Sequence, residues 1–415
     1  MKLNELALFG GDPVRKTTFF PWPRVVDGQK EQLIDTLIND SWGIGSESIK
    51  ILEEKFAMFH DAKNCIAVNT GTNALWVALK AAGVASGDEV IIPPYTFIAT
   101  VTAVLMAHAT PVFVDVDENT FNIDPNLIES AITERTKVII PVHIGGNPAD
   151  MKSIISIADK HNIKIIEDAA QAHGAVWHGN KVGALGMGGI FSFQTSKNMS
   201  SGEGGAIISN DESFMDACYS YHNCGRVRDG KWYEHYRLGS NLRMSAFNAA
   251  VLIPQIDSLN DGFHLREQNR RKIDTAISQM KGLLPMRNIK DTKSSNHIYI
   301  CRYIDSEFSG IRRSVFFKAM QAEGVFTYKG WSALYKEPLF TINPKEYPWL
   351  EDINYNEIKH INTENFSERE AVWLKQNYLI GSQEDTQDVI DAFEKVVTAM
   401  QKDPKLFLDL DLDKE

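Results

Sequence analysis

A chain of 415 residues is too long for one small core, and its 43% hydrophobic and 23% charged content is that of an ordinary globular protein of enzyme size. Its 54 acidic against 43 basic residues give a net charge of -11, which argues against nucleic acid or an anionic membrane as the main partner. No apolar run is long enough to span a bilayer, the opening MKLNELALFGGDPVRK lacks a signal-peptide core, and Cys65, Cys218, Cys224 and Cys301 show neither disulfide-framework nor metal-ligand spacing, so a reduced, cytoplasmic chain is expected.

Short β-branched runs then alternate with helix-length segments. The predicted strands are CIAVN (65–69), DEVIIPP (88–94), TPVFVDV (110–116), KVIIPVH (137–143), IKIIED (163–168), GGIFSF (188–193) and GAIISN (205–210). Helices are predicted between them at 73–83, at 123–132 with Asp124 as N-cap, and at 151–161. Near-continuous apolar strands separated by helices indicate an α/β fold whose mostly parallel sheet is covered on both faces. From about residue 244 the pattern changes. SAFNAAVLIPQIDSL and FHLREQNRRKIDTAISQM read as two long helices, followed by a strand at 297–304 and helices near 310–323 and 384–401. This suggests a large domain over 1–260 with an N-terminal arm and a smaller C-terminal α/β domain over 261–415. The tail DPKLFLDLDLDKE is acidic and expected to be peripheral.

The chemistry gathers where the predicted strands end. In VNTGTNALWVAL a strand passes through Thr70, Gly71 and Thr72 into a helix, an arrangement that either caps the helix or holds a phosphate on free amides. In IKIIEDAAQAHG a strand ends in Asp168, with Gln171 three residues on; a carboxylate there either caps a turn or meets a positive group. In FSFQTSKNMSSGEGGAIIS, Lys197 is the only lysine or arginine between Lys181 and Arg226, and it stands among serines and glycines that let a ligand approach. It is either a solvated loop lysine or an amine kept for chemistry. Together, a phosphate cradle, a strand-end aspartate and an isolated lysine are the three parts that a pyridoxal phosphate site needs.

The segments GTNAL, PPYTFIAT, PVFVDVD, PVHIGGNPADM, IIEDAAQAHGA, FSFQTSKNMSSGEGGAIIS and LGSNLRMSAFNAAV resemble successive motifs of the DegT/StrS-type sugar aminotransferases, over about residues 30 to 260. That family has the aspartate aminotransferase fold, fold type I. The resemblance implies that Lys197 carries pyridoxal 5'-phosphate covalently and moves the proton between donor and acceptor carbons, while Asp168 pairs with the pyridinium nitrogen and Gln171 meets the ring hydroxyl. It implies that Phe97 stacks on the ring and that Gly71, Thr72, Asn73 and Ser192 hold the phosphate. Asn241 would reach the cofactor phosphate of a neighbouring subunit, making a homodimer with shared sites. Arg226, Arg228 and Arg243 are candidates to fork the donor carboxylate, with Arg228 read as a surface arginine.

Departures from the family pattern narrow the substrate. Gln194 stands where many members acting on nucleotide-linked sugars have His, and resembles the glutamine-dependent inosose aminotransferases and their relative that makes an aminohydroxybenzoate ring. LALFGGDPVR and EREAVWLKQNYLIGSQED also resemble that branch. Relatives with His in place of the lysine are sugar dehydratases, and Lys197 argues against that activity. The expected reaction moves an amino group from L-glutamine or L-glutamate to a keto-cyclitol or keto-sugar. The alternatives are a nucleotide-linked keto-sugar as acceptor, or a lyase or ring-aromatising reaction on the same site. An idle homologue should have lost Lys197 or Asp168. The basic cluster REQNRRK (266–272) is read as a solvated helix face.

Overall fold

The computed structural model describes residues 5–340, 347–350, 353–408 and 410. The seven predicted strands all form, in one sheet: β1 (Asn64–Val68), β2 (Glu89–Ile92), β3 (Thr110–Phe113), β4 (Thr136–Ile139), β5 (Lys164–Asp168), β6 (Gly188–Ser192) and β7 (Gly205–Ser209). Their spatial order is β1-β7-β6-β5-β4-β2-β3, and β7 runs antiparallel to both of its neighbours while the others share one direction. Alternate residues feed two cores, as a two-residue period requires. Ile66, Val68, Val90, Ile92, Ile166 and Ile190 face one helical layer. Cys65, Ala67, Ile91, Ile165 and Phe191 face the other.

Two helix expectations are corrected. The segment 123–132 forms only a short α-turn, Pro125–Ile128, followed by a 3-10 turn, although Asp124 caps it by accepting from Asn126 N. Ile128 is its one buried residue, too little apolar surface to hold a longer helix. The two helices expected around residue 260 are one, Ala246–Ile277, which runs through Asp261–Gly262 without a break. Gly262 reads as a breaker but serves packing, because a Cβ there would come within 3.3 Å of the Arg266 guanidinium.

That helix joins two cores. Leu252, Ile256 and Leu259 pack into the large-sheet core, whereas Ile273 and Ile277 pack with a three-stranded sheet made of Leu283–Pro285, Ile298–Tyr303 and Ala371–Lys375 and with the helices Arg313–Ala322 and Gln383–Lys402. A division of the chain at residue 260 passes through this helix. Leu6, Leu8, Phe9, Val14 and Phe19 also belong to the C-terminal core, so the N-terminal arm crosses to it. The tail is not wholly peripheral either. Phe407 is fully buried with its ring 5.4 Å from that of Phe9, while residues 409 and 411–415 lie outside the described residues.

One buried carboxylate docks the arm. Glu323, wholly buried, accepts from Ala7 N at 2.8 Å, Val14 N at 3.0 Å and Lys395 Nζ at 2.7 Å. Glu323→Ala leaves Lys395 with the Asp12 carbonyl alone and no counter-charge, and two arm amides without an acceptor. We expect a loss of about 3 kcal/mol, the scale for breaking a buried ion pair, and rapid tryptic cleavage after Arg15 and Lys16. Denaturant melting and limited proteolysis measure the two effects.

Candidate active site

In a largely parallel sheet the strand ends define one edge, and ligands bind in the crevice beyond the carboxyl ends. Val68 of β1 lies opposite Gly205 of β7, which lies opposite Ser192 of β6, so these ends share a level. Asp168 ends β5 beside Ile190. Four turns therefore converge: the one after β1 carrying Gly71, the one after β2 carrying Phe97, and those carrying Asp168 and Lys197.

The turn after β1 presses against the sheet. A Cβ on Gly71 would lie 2.8 Å from the Ser192 Cβ, and one on Gly205 would lie 2.6 Å from the Thr70 carbonyl, so both positions need glycine. Thr70 is the cap, its hydroxyl accepting from Asn73 N at 3.1 Å. Asn73 Nδ2 donates to Asn69 Oδ1 at 2.9 Å. The Gly71 and Thr72 amides meet no acceptor among the described residues. Capping and a cradle for an anion thus coexist here, using different atoms.

Asp168 is buried, with 6% of its surface exposed. Its carboxylate accepts from Thr100 Oγ1 at 3.0 Å and Ala170 N at 3.2 Å. Burial raises its pKa, and those two bonds together with the Lys197 charge oppose the rise. Burial lowers the Lys197 amine to about 8, with Asp168 pulling it back up. The pair thus couples an amine that is partly deprotonated near neutral pH to a carboxyl group shielded from water. Gln171 is also buried. Its Oε1 accepts from Gly145 N at 2.7 Å, which leaves Nε2 free to donate. Phe97 is 47% exposed, its ring 5.3 Å from that of Trp331.

Lys197 lines a cavity of about 1140 Å³ between the N-terminal arm and the C-terminal part. Trp22, Gln194, His297, Tyr328, Trp331 and Gln376 share its wall, and Trp22 Nε1 donates to the Lys197 carbonyl at 3.0 Å. Of these, sequence reasoning singled out Gln194 alone. The aromatic run FFPWP (19–23) is a local signal that could have pointed to the arm; Trp331 and His297 have no such signal nearby.

Of the expected residues only Lys197 and Gln194 line this cavity; Gly71, Thr72, Asn73, Asp168, Gln171 and Ser192 lie at the strand ends outside its wall, Phe97 adjoins it through Trp331, and the rest belong to another part of the chain. Asn241 is exposed and bridges to Asn223. Arg243 donates to Asn223 Oδ1 at 2.8 Å and lines a separate pocket of about 190 Å³ with Arg228 and Glu53. Arg228 pairs with Asp216, and Arg226 lies over Trp232. The REQNRRK segment is solvated only in part: Gln268, Arg271 and Lys272 are exposed, whereas Arg266 is 1% exposed and Arg270 is held by Glu267 and Asp274.

The DegT/DnrJ/EryC1/StrS aminotransferase family matches residues 25–394. The chain belongs to that family. A Streptomyces kanamyceticus member named L-glutamine:2-deoxy-scyllo-inosose aminotransferase is 32% identical, the match covering 96% of this chain and 98% of that one. The 3-amino-5-hydroxybenzoate synthase of Amycolatopsis mediterranei is 34% identical over 79% of this chain and 85% of its own. Among solved structures, the aminotransferase from Psychrobacter cryohalolentis superposes with a TM-score of 0.85 at 30% identity, covering 92% of this chain and 100% of that one. The chain is thus an aminotransferase, in agreement with the resemblance of its motifs.

The Asp168–Lys197 coupling has a measurable sign. Asp168 favours the protonated amine, so Asp168→Asn should move the Lys197 pKa below about 8 and make the amine more reactive at pH 7. The pH dependence of Lys197 modification by an amine-specific reagent, followed by peptide mapping, reads this directly; an upward shift would show that the two groups do not interact as described.

Proposed function

We propose that this aminotransferase uses pyridoxal 5'-phosphate bound to Lys197 and moves an amino group from L-glutamine, or L-glutamate, to a ketone on an uncharged polyhydroxylated ring, a keto-cyclitol or keto-sugar. The residues present fit the cofactor. Two unpartnered amides, Gly71 and Thr72, start a helix beside the Ser192 hydroxyl, and a buried carboxylate and a perturbed amine face each other across the strand ends. When bound, the cofactor supplies the electron sink that makes the donor Cα–H acidic.

The chain's own residues divide the remaining work. The Gly71 and Thr72 amides with the Ser192 hydroxyl hold the phosphate, and Asn73 keeps one amide hydrogen for it. Asp168, shielded from water and steadied by Thr100, keeps a proton on the ring nitrogen. Gln171 Nε2 donates to the ring hydroxyl, and the exposed Phe97 ring covers one face. Lys197 Nζ, poised near neutral pH, takes a proton from the donor carbon and returns one to the acceptor carbon.

The character of the cavity carries the choice of acceptor. Its wall mixes aromatic and polar side chains, and its cations besides Lys197 have partners: Arg15 is held by Asp385 at 2.6 Å and Asp388 at 2.8 Å, Lys16 forms an exposed pair with Asp12 at 2.6 Å, and Lys375 lies over the Tyr328 ring. A nucleotide diphosphate wants several free cationic donors, whereas a neutral polyol does not. Gln194 is turned onto Ser196, its Oε1 accepting from Ser196 N and Oγ. The name of the Streptomyces kanamyceticus relative supports the same acceptor class and glutamine as donor.

Two chains share each site in this reading. Leu33, Ile34, Leu37, Ile38, Trp42 and Ile44 present an exposed apolar face. Trp42 packs on Phe247, six residues from Asn241, so the face and the residue expected to act in trans lie together. The cytoplasm is the proposed location; among the described residues no helix is long and apolar enough to cross a membrane.

The similarity to the aminohydroxybenzoate synthase favours a ring-aromatising reaction as the second reading. Loading the enzyme with pyridoxal 5'-phosphate and L-glutamine separates the two: transamination releases one 2-oxo acid per site before any acceptor is added, and a polyhydroxylated ketone then restores the starting absorbance. Ring aromatisation without release of an oxo acid would overturn the proposal. Lys197→Ala should lower the proton-transfer rate by about 10²–10⁴-fold or more, the usual worth of a positioned acid–base group.

A further inference from the structure

His297 lines the Lys197 cavity, yet it is only 6% exposed, and the reaction proposed above leaves it without a role. Its hydrogen-bonding state follows from its neighbours. Asn198 Nδ2 donates to the Ser295 carbonyl at 2.8 Å, which fixes that amide with Oδ1 toward His297 Nδ1, 3.2 Å away. An amide oxygen can only accept, so Nδ1 carries the ring hydrogen. Burial and the charges of Lys197, His173 and Arg266 hold the imidazole well below its usual pKa, so the ring is neutral. Nε2 is therefore a bare lone pair. It has no donor among the described residues, and it is not among the sealed polar atoms of the interior.

The turn that carries His297 is rigid. Ser295 N donates to Gly146 O at 3.1 Å, Ser295 Oγ to Gln171 O at 2.8 Å, and the buried Arg266 Nε to Ser295 O at 3.2 Å. The same turn thus holds the backbone of Gln171 and, through Asn198, the chain next to Lys197. An acceptor atom fixed in this way is preorganised for a donor on the ligand. A carboxylate or phosphate oxygen has no hydrogen to offer it, and lone pair would face lone pair. A hydroxyl has one.

We infer that His297 Nε2 accepts a hydrogen bond from a hydroxyl of the acceptor ring beside Lys197, and so selects hydroxylated, uncharged ketones. This rests on the acceptor class proposed above. It makes His297 a specificity-determining residue, complementary to the aromatic wall of Trp22, Tyr328 and Trp331.

Two measurements test it. In the ¹⁵N-histidine NMR spectrum of the full-length protein, assigned with His297→Phe, Nδ1 should be the protonated nitrogen and Nε2 the bare one, and scyllo-inositol should shift the Nε2 resonance. A protonated Nε2, or a resonance that scyllo-inositol leaves in place, overturns the inference whatever the catalytic activity. In the loaded enzyme, His297→Phe should lower kcat/KM for scyllo-inosose by about 10²-fold and for cyclohexanone by less than about 3-fold. His297→Gln, whose amide oxygen reaches the Nε2 position, should recover part of the loss. Equal losses on both ketones would make His297 merely structural and sink the assignment. An unmodified enzyme that aminates neither ketone would refute the proposed function instead, with the tautomer and its shift still deciding His297.

Discussion

A carboxylate removed from water at the end of a parallel strand must be met by donors or by positive charge. At Asp168 the chain supplies one hydroxyl, one amide and the Lys197 amine, and much of the surrounding architecture delivers those three groups. Thr100 comes from the first turn of the helix after β2, and Ala170 from the turn that follows β5. Lys197 comes from the loop between β6 and the reversed strand β7. Without the reversal at β7, the chain leaving β6 would have to cross the sheet again before returning, and the lysine loop would lose the short closure that sets it beside β5. Neighbouring strand ends then add what a single turn cannot: Gly71 and Gly205 let a helix start within van der Waals reach of Ser192.

The same constraint explains how much of the molecule was legible in its sequence. Strands buried on both faces leave unbroken β-branched runs, so all seven strands of the large sheet could be read, although β2, β3 and β4 end at Ile92, Phe113 and Ile139, short of the apolar runs that extend to 94, 116 and 143. Residues fixed by local backbone demands, such as Gly71, Asp168 and the Ser/Gly surroundings of Lys197, could be read for the same reason. Contacts across long sequence separation could not. Thr100 reaches Asp168 over 68 positions, Trp22 reaches Lys197 over 175, and His297 reaches Asn198 over 99. None of these pairs leaves a periodic or spacing signal. Local cues also misled where packing overrode them: Asp261–Gly262 resembles a helix break, but the glycine admits the Arg266 guanidinium, and that arginine is interior although its charged neighbours Arg271 and Lys272 are exposed.

The cavity belongs to three separate stretches of chain, and this has consequences for stability as well as recognition. The arm is anchored in the C-terminal core by Leu6, Phe9 and Phe19 and by the Glu323 carboxylate, while its Trp22 indole donates to the lysine loop of the large sheet. Gln376, at the end of the last strand of the small sheet, donates to the Ser196 carbonyl from the other side. The lysine loop, itself part of the large sheet, is therefore also held by elements anchored in the C-terminal core. Loosening either core changes the position of Lys197, so a substitution far from the strand ends can act on the chemistry through the loop.

The polar groups sort by place into two sets. Asp168, Gln171, Lys197 and the Gly71–Ser192 cradle converge within one chain at the strand ends, and in the proposed reading they are sufficient to hold and tune the cofactor. Asn241, Arg243 and Arg228 lie together near a smaller pocket on a different part of the same chain, close to the exposed apolar face of residues 33–44. Arg243 bridges to Val68 at the end of β1, yet neither it nor Arg228 lines the Lys197 cavity of its own chain. The apolar face next to them loses water only when covered, and in the proposed dimer a second copy of the chain would cover it with the same surface. In that proposed dimer, a partner's Asn241 and arginines at the first chain's site would satisfy both needs at once. The division then has a physical rationale: the proton chemistry needs rigid, buried groups and stays within one core, whereas binding a charged donor from water suits groups that stay partly solvated until the two surfaces meet.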